Sequence, residues 1–222
     1  MSQTPDCIPS YYIKHTAAHL LKPLHIIFNH SLYSGQVPSV WRKAIVIPIY
    51  KKGNRNDPKN YRPISLTSVV CRVLEKIIHR CMTSHLLENQ LLSPAQHGFV
   101  LKRSTQTQQL LFLDELTQMH DDKKQVEVVY LDFSKAFDRV CHRKLIHVLN
   151  HLKFNSRVIK WIESYLFNRS QTTLLETIHS NSVHVSSGVP QGSVLGPLLF
   201  IIYLEDLIKA ITSQCKHTVV YA

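Results

Sequence analysis

Asp132 ends an apolar, β-branched run that begins at Val126. A carboxylate there costs desolvation unless it stands at a site edge or binds a cation. Two-metal phosphoryl transfer needs acidic ligands on rigid backbone, and this placement suits Mg2+. Taken alone, an aspartate closing a strand is more often a turn or cap residue. Further on, Gly188-Val189-Pro190-Gln191-Gly192 precedes an apolar stretch. A Gly/Pro loop at that position lets backbone approach a ligand closely at a helix N-terminus. A plain turn into the helix is the alternative. A third group is basic. Arg42, Lys43, Lys51, Lys52, Arg55, Lys59 and Arg62 fall within one stretch that holds a single acid, Asp57. Such a cluster attracts nucleic acid or nucleotide phosphates, or is a solvated charged turn. Phe137, considered alone, is a core aromatic.

Other chemistries find little support. There are 14 histidines and five cysteines. None of the cysteines forms a CxxC pair, and no His/Cys spacing matches structural zinc. There is no GxxxxGK phosphate loop, and Gly192-Ser193 does not form a GxSxG elbow.

Stepping outward to the elements, the first forty residues read as helix with Pro23 near a kink, ended by Gly35 and Pro38. Ala44–Tyr50 reads as a strand, with Pro48 suggesting an edge position. Lys51–Tyr61 is a loop, and 64–66 returns, giving a hairpin with a basic tip. Val70, Val73, Leu74, Ile77, Ile78 and Cys81 repeat at helical spacing and form one buried face. Thr105–Met119 is a second helix, with Ser104 as a cap candidate. Val126–Phe133 is a strand. Helices follow near 142–152 and 156–166, then a hairpin of 172–178 with 182–186 around Ser180-Asn181. A helix over 194–211 and a strand over 218–221 complete the chain. Strands and helices mix without strict alternation, which favours an α+β fold.

The 222 residues are enough for a real core, and 44% apolar content argues against disorder. No signal pattern or membrane-length run is visible. The odd cysteine count suggests reduced thiols and an intracellular setting, with nucleus or cytoplasm open. Net charge is +11. Nearly all the excess falls in the first half of the chain, again pointing to a polyanionic partner.

Three blocks together carry a resemblance. Val128 through Asp138 reads Val-Val-Tyr-Leu-Asp-Phe-Ser-Lys-Ala-Phe-Asp, and 188–197 reads Gly-Val-Pro-Gln-Gly-Ser-Val-Leu-Gly-Pro. Upstream, Trp41 to Lys52 and Asn60-Tyr61-Arg62-Pro63-Ile64-Ser65 form a third block. In this order they resemble the reverse transcriptase of a non-LTR (LINE-type) retrotransposon, over nearly the whole chain. Gln96-His97-Gly98-Phe99 followed by Lys102-Arg103-Ser104-Thr105 matches a further motif of that family. Cys7 stands where the family usually has Gly, and Leu204-Glu205-Asp206 replaces a common Ile-Asn-Asp.

The resemblance implies a right-hand polymerase fold. Residues 1–41 would be an N-terminal helical segment, 42–125 the fingers and 126–222 a partial palm, with the thumb absent. It implies that Asp132 and the backbone carbonyl of Phe133 are metal ligands, and that Phe137 is a steric gate beneath the nucleotide sugar. Lys52 and Arg62 would grip the triphosphate, with Lys51 as the alternative to Lys52. Gln191 and Gly192 would contact the incoming nucleotide and its template base, and Arg103 the template. Asp138 and His142 read as structural, capping the next helix. The partners implied are an RNA template, a DNA primer, deoxynucleoside triphosphates and two Mg2+ ions. In the family, the strand that ends this sequence at Tyr221-Ala222 continues as Asp-Asp. The expectation is therefore one catalytic carboxylate of three, and no polymerase activity from these 222 residues alone. A non-enzymatic nucleic-acid-binding fragment and a degenerate remnant are the competing readings.

Overall fold

The computed structural model describes residues 4–100, 102–215 and 218–220. Helices α1 (Ser10–His15) and α2 (Ala17–Ser34) lead into strands β1 (Lys43–Tyr50) and β2 (Tyr61–Leu66). Helices α3 (Val69–Glu88), α4 (Thr105–Asp121), α5 (His142–His151) and α6 (Ser156–Leu166) follow. Three further strands, β3 (Arg169–Leu175), β4 (Ile178–His179) and β5 (Val183–Val185), precede α7 (Leu195–Thr212). The fold is thus mixed helix and sheet.

Local sequence explains most of these boundaries. Ser68 starts α3 by accepting from Cys71 N–H, and Ser104 and Thr107 close a reciprocal capping box on α4. Asn155 accepts from Arg157 N–H to begin α6. Pro23 lies inside α2, and Gly35 ends that helix. Helix α7 buries residues on every face, including Leu195, Leu198, Phe200, Ile201, Leu204 and Ile208. A helix apolar all round belongs in the middle of a core. Here α3, α5 and α6 supply the surrounding walls through Leu74, Ile78, Leu145, Leu149, Trp161 and Ile162. No helix among the described residues is long and apolar enough to cross a membrane.

The five strands form one sheet in the order β2-β1-β3-β4, with β5 also paired to β3. Strand β1 is antiparallel to β2 and parallel to β3. The expectation that Pro48 marks an edge strand needs correction, because β1 is interior. The proline is tolerated because pairing to β3 stops at Val46, and because Pro48 faces Pro63 across β2. Neither residue has an N–H to offer at a position where the ladder asks for none.

Three other expectations are corrected. The 172–178 strand begins earlier, at Arg169, and stops at Leu175, where Glu176 turns with φ 56°. At the far end, 218–220 contributes one parallel bridge, Gln96 to Val220, rather than a strand. Tyr221 and Ala222 lie outside the described residues. The largest change concerns 126–133, which forms no strand. No backbone hydrogen bond joins this segment to the other described residues, and Val129 and Tyr130 are 79% and 81% exposed. Its β-branched composition favours extended backbone. A strand exists only where a neighbour takes up its N–H and C=O groups.

Candidate nucleotide site

Two segments distant in sequence converge on the 188–192 loop. From one side, Gly188 N–H donates to Val140 O at 2.8 Å and Val189 N–H to Phe137 O at 2.9 Å. Ser187 Oγ donates to Asp138 O at 2.9 Å, and His142 Nε2–H to Gly188 O at 2.7 Å. The carbonyl fixes which ring nitrogen of His142 carries the proton. Burial, the largest influence, and the charge of Arg169 lower the His142 pKa, against the raising effect of the Gly188 bond. The imidazole is neutral at pH 7. His142 is therefore structural, as expected, but it holds the loop and does not cap a helix. Helix α5 begins at Cys141 with no side-chain cap, so the capping role expected for Asp138 is not observed.

From the other side, Ser65 N–H in β2 donates to Gln191 O at 2.7 Å. The glycines make these approaches possible. Gly188 has φ 89°, and a Cβ there would meet Asp138 Cα at 2.8 Å. Gly192 has φ 111°, and a Cβ would meet Ser65 O at 2.9 Å. Both positions combine left-handed backbone with contact against other backbone, so no other residue type fits without strain.

Phe137 sits at the junction. It is half-buried, stacks on Phe200 of α7 at 4.7 Å and meets Phe99 edge-on at 6.3 Å. Gln191 is half-buried and Gly192 exposed. Ile64 shares a face of β2 with Arg62, two residues back, and lies 3.4 Å from where a Gly192 Cβ would stand. Arg62 therefore lines the same side of the sheet as the loop.

The hairpin tip is organised by its own hydrogen bonds. Tyr50 Oη donates to Gly53 O, Asn60 Nδ2 to Asn54 O, and Tyr61 Oη to Arg55 O. Lys51, Lys52 and Arg62 are exposed and have no ion-pair partner among the described residues. Their charge is available to an anion. Arg103 is differently engaged, with Nη1 donating to Pro94 O and Gln96 O at 2.6 Å each.

Asp132 and Phe133 lie exposed on the unpaired 126–133 segment. Among the described residues, no three His, Cys, Asp or Glu side chains group as a cation site. One carboxylate does not offset the repulsion between two divalent cations. The described residues alone therefore do not fit the pair of Mg2+ ions that the resemblance implies.

Glu75 and Asp6 lie outside the motifs that carry the expected site. Glu75 is fully buried in α3, and its Oε2 accepts from Val194 and Leu195 N–H at the start of α7. Asp6 Oδ2 accepts from Ser68 Oγ and Val69 N–H, so it caps α3 from the N-terminal segment. The signal for Glu75 was present, since it falls on the same stripe as Cys71, Leu74 and Ile78. An acid on a buried helical stripe needs a partner.

Comparison with known proteins shows the family. Residues 49–222 match the family described as reverse transcriptase (RNA-dependent DNA polymerase), and the chain belongs to that family. It is 34% identical over 185 residues to a probable RNA-directed DNA polymerase from transposon BS of Drosophila melanogaster, across 83% of this chain and 20% of that protein. It is 30% identical over 188 residues to the RNA-directed DNA polymerase from mobile element jockey of the same species, across 84% and 20%. Against the Pol polyprotein of the type-1 retrotransposable element R2 of Popillia japonica, identity is 29% over 183 residues, across 82% and 25%. The chain thus spans a fifth to a quarter of these relatives. The reverse-transcriptase domain of a non-LTR, LINE-type element, expected from the motifs, is the one found.

Proposed function

We propose that this chain supplies the fingers and the first part of the palm of an RNA-directed DNA polymerase from a LINE-type retrotransposon. Residues 1–41 form a helical lead, 42–125 the fingers and 126–222 the palm portion. Arg62 and Lys52 take the triphosphate of an incoming deoxynucleotide, Arg through its fork and Lys as a point charge. The Phe137 ring lies beneath the sugar, where it excludes a 2′-hydroxyl. Gln191 and Gly192 face the nascent base pair. Asp132 and the Phe133 carbonyl contribute part of a Mg2+ site whose remaining ligands are not among the described residues. For Arg103, its two carbonyl bonds favour holding the 94–96 loop over touching template.

The observation that carries this reading is the convergence of Ser65, Phe137–Val140 and Gly188–Gly192, three motif segments joined by backbone hydrogen bonds. Its test is photo-crosslinking of a deoxynucleoside triphosphate to the chain on a DNA-primed RNA template. The expected adduct maps to Phe137 or to 188–192 and weakens on Arg62→Ala. An adduct elsewhere, or none, would sink the assignment.

A second reading, a nucleic-acid-binding module without catalysis, is favoured by the unpaired charges of the hairpin tip. It requires salt-sensitive RNA binding with no nucleotide adduct.

A further inference from the structure

The first N–H groups of a helix have no partner within it. In α7 the N-cap residue Val194 has no capping side chain, and Ser193 Oγ accepts only the Gly196 N–H, at 2.9 Å. The acceptor comes from far away in sequence. Glu75 Oε2 takes Val194 N–H at 2.8 Å and Leu195 N–H at 3.1 Å. Ser193 closes the last turn of the loop beside it, through its Oγ and N–H to Pro190 O.

Glu75 sits in a buried polar knot. Its Oε1 has no hydrogen-bond partner, and Cys71, one turn earlier on α3, carries only a weak thiol donor. Arg169 opens β3 beside the cluster. Its Nη1 donates to Tyr165 O at 3.0 Å, its guanidinium lies 4.7 Å over the Tyr165 ring, and its Nη2 has no partner. Burial, the largest influence, raises the Glu75 pKa; the Leu195 and Val194 N–H groups and then the charge of Arg169, which forms no ion pair with Glu75 within 4.0 Å, act against it.

Buried charges with unfilled hydrogen-bonding capacity are commonly replaceable by apolar groups at no loss. What the knot does achieve is position. Ser65 and Glu75 belong to the single run from β2 into α3, and they grip the loop at Gln191 and at Val194–Leu195. The two residues assigned to the nucleotide, Gln191 and Gly192, lie between or at these grips.

We propose that Glu75, with Arg169 as its counter-charge, is a positioning residue that fixes Gln191 and Gly192 for nucleotide binding. The inference rests on the function proposed above. Glu75 touches no substrate. It acts by holding the end of the loop opposite the His142 and Val140 contacts, so that the segment cannot slide along the start of α7.

The test compares the 222-residue chain with Glu75→Gln and Glu75→Met. Gln keeps an acceptor of the same reach, while Met keeps the linear shape and removes it. Backbone hydrogen exchange is followed across 188–196, with α5 and α6 as internal references. Affinity for a deoxynucleoside triphosphate is measured on an RNA–DNA primer–template, alongside affinity for the primer–template itself. Glu75→Met is expected to speed exchange at Val194 and Leu195 by at least about tenfold, the scale of a lost charge-assisted hydrogen bond. It should weaken nucleotide binding by a similar factor and leave primer–template affinity unchanged. Glu75→Gln is expected to recover most of both effects. Unchanged exchange in Glu75→Met overturns the brace. Equal loss in Gln and Met overturns the role of the acceptor. A wild-type chain that binds no nucleotide overturns the polymerase reading, and the exchange result then decides the brace by itself.

Discussion

The N–H of Ser65 points away from its hairpin partner and donates to Gln191 O at 2.7 Å. In the ladder Ser65 faces Val46, two positions from the Pro48–Pro63 pair. Those prolines share its parity, so position 65 also has no N–H turned toward β1. Ser65→Pro should therefore sever the link to the loop while sparing the hairpin. The expected cost is about 1 kcal/mol, seen as a melting point lower by roughly 2–4 °C. A much larger loss would mean that the hairpin itself depends on this N–H.

Gly192→Ala tests the same contact from the other side. A Cβ would meet Ser65 O at 2.9 Å, on backbone at φ 111°. Strain of this kind costs on the order of 1–3 kcal/mol. The clashing atom is backbone and not a flexible side-chain end, so the loop must move. Thermal melting should report the destabilisation, and nucleotide affinity should fall with it. A variant as stable as the parent would show that the loop tolerates a second conformation.

How much of this was legible in the sequence varies with the kind of interaction. Helices α3, α5 and α6 were readable from amphipathic spacing, with local caps on α3 and α6, and α7 from its apolar run. The face expected buried on α3 needs correction, since Ile77 and Cys81 are exposed while Cys71, Glu75 and Met82 are buried. Segment 126–133 has strand composition, but a strand depends on its neighbour, which composition does not report. The convergence of Phe137, Gln191 and the β2 hairpin was legible only through the motifs. Without the motifs Phe137 reads as a core aromatic, and 188–192 reads equally as a ligand loop or a plain turn. Glu75 and Asp6 act across 119 and 63 residues respectively. Sequence spacing shows that an acid is buried, but not which helix end it meets.

Cys7 carries a strain that glycine would relieve. Its φ is 53°, in the turn where Cys7 N–H donates to Thr4 O. An L-residue pays about 1–2 kcal/mol in this region, partly offset by the greater freedom of an unfolded glycine. Cys7→Gly should raise the melting point by a few degrees at most, about 2–4 °C per kcal/mol. An unchanged or lower value would locate the strain elsewhere.

Asp6 links the N-terminal segment to α3 in a pH-dependent way. Burial, the largest single influence, raises its pKa. Hydrogen bonds from Ser68 and Thr4, and from the N–H groups of Val70 and Ile8, together outweigh it and leave the pKa lowered. A carboxyl whose folded pKa is depressed stabilises above its unfolded value, about pH 4. That contribution fades as pH falls through the folded value. Denaturation of the parent and of Asp6→Asn should differ at pH 6, and the difference should shrink as pH falls below the unfolded value. A constant difference across that range would assign the effect to shape and not to charge.

The basic tip gives the sharpest test of what this surface meets. Lys51, Lys52 and Arg62 are exposed and have no acidic partner among the described residues, so an anion that docks there replaces only water and counterions. Each phosphate neutralised releases condensed counterions, and affinity falls with salt in proportion. Joint replacement of the three by glutamine should weaken RNA–DNA hybrid binding at low salt. It should also flatten the slope of log K against log salt by roughly 2–3. If nucleotide triphosphate is the true ligand, hybrid binding will keep its slope and nucleotide affinity alone will fall. Loss of neither would place the polyanion on another face of the basic half.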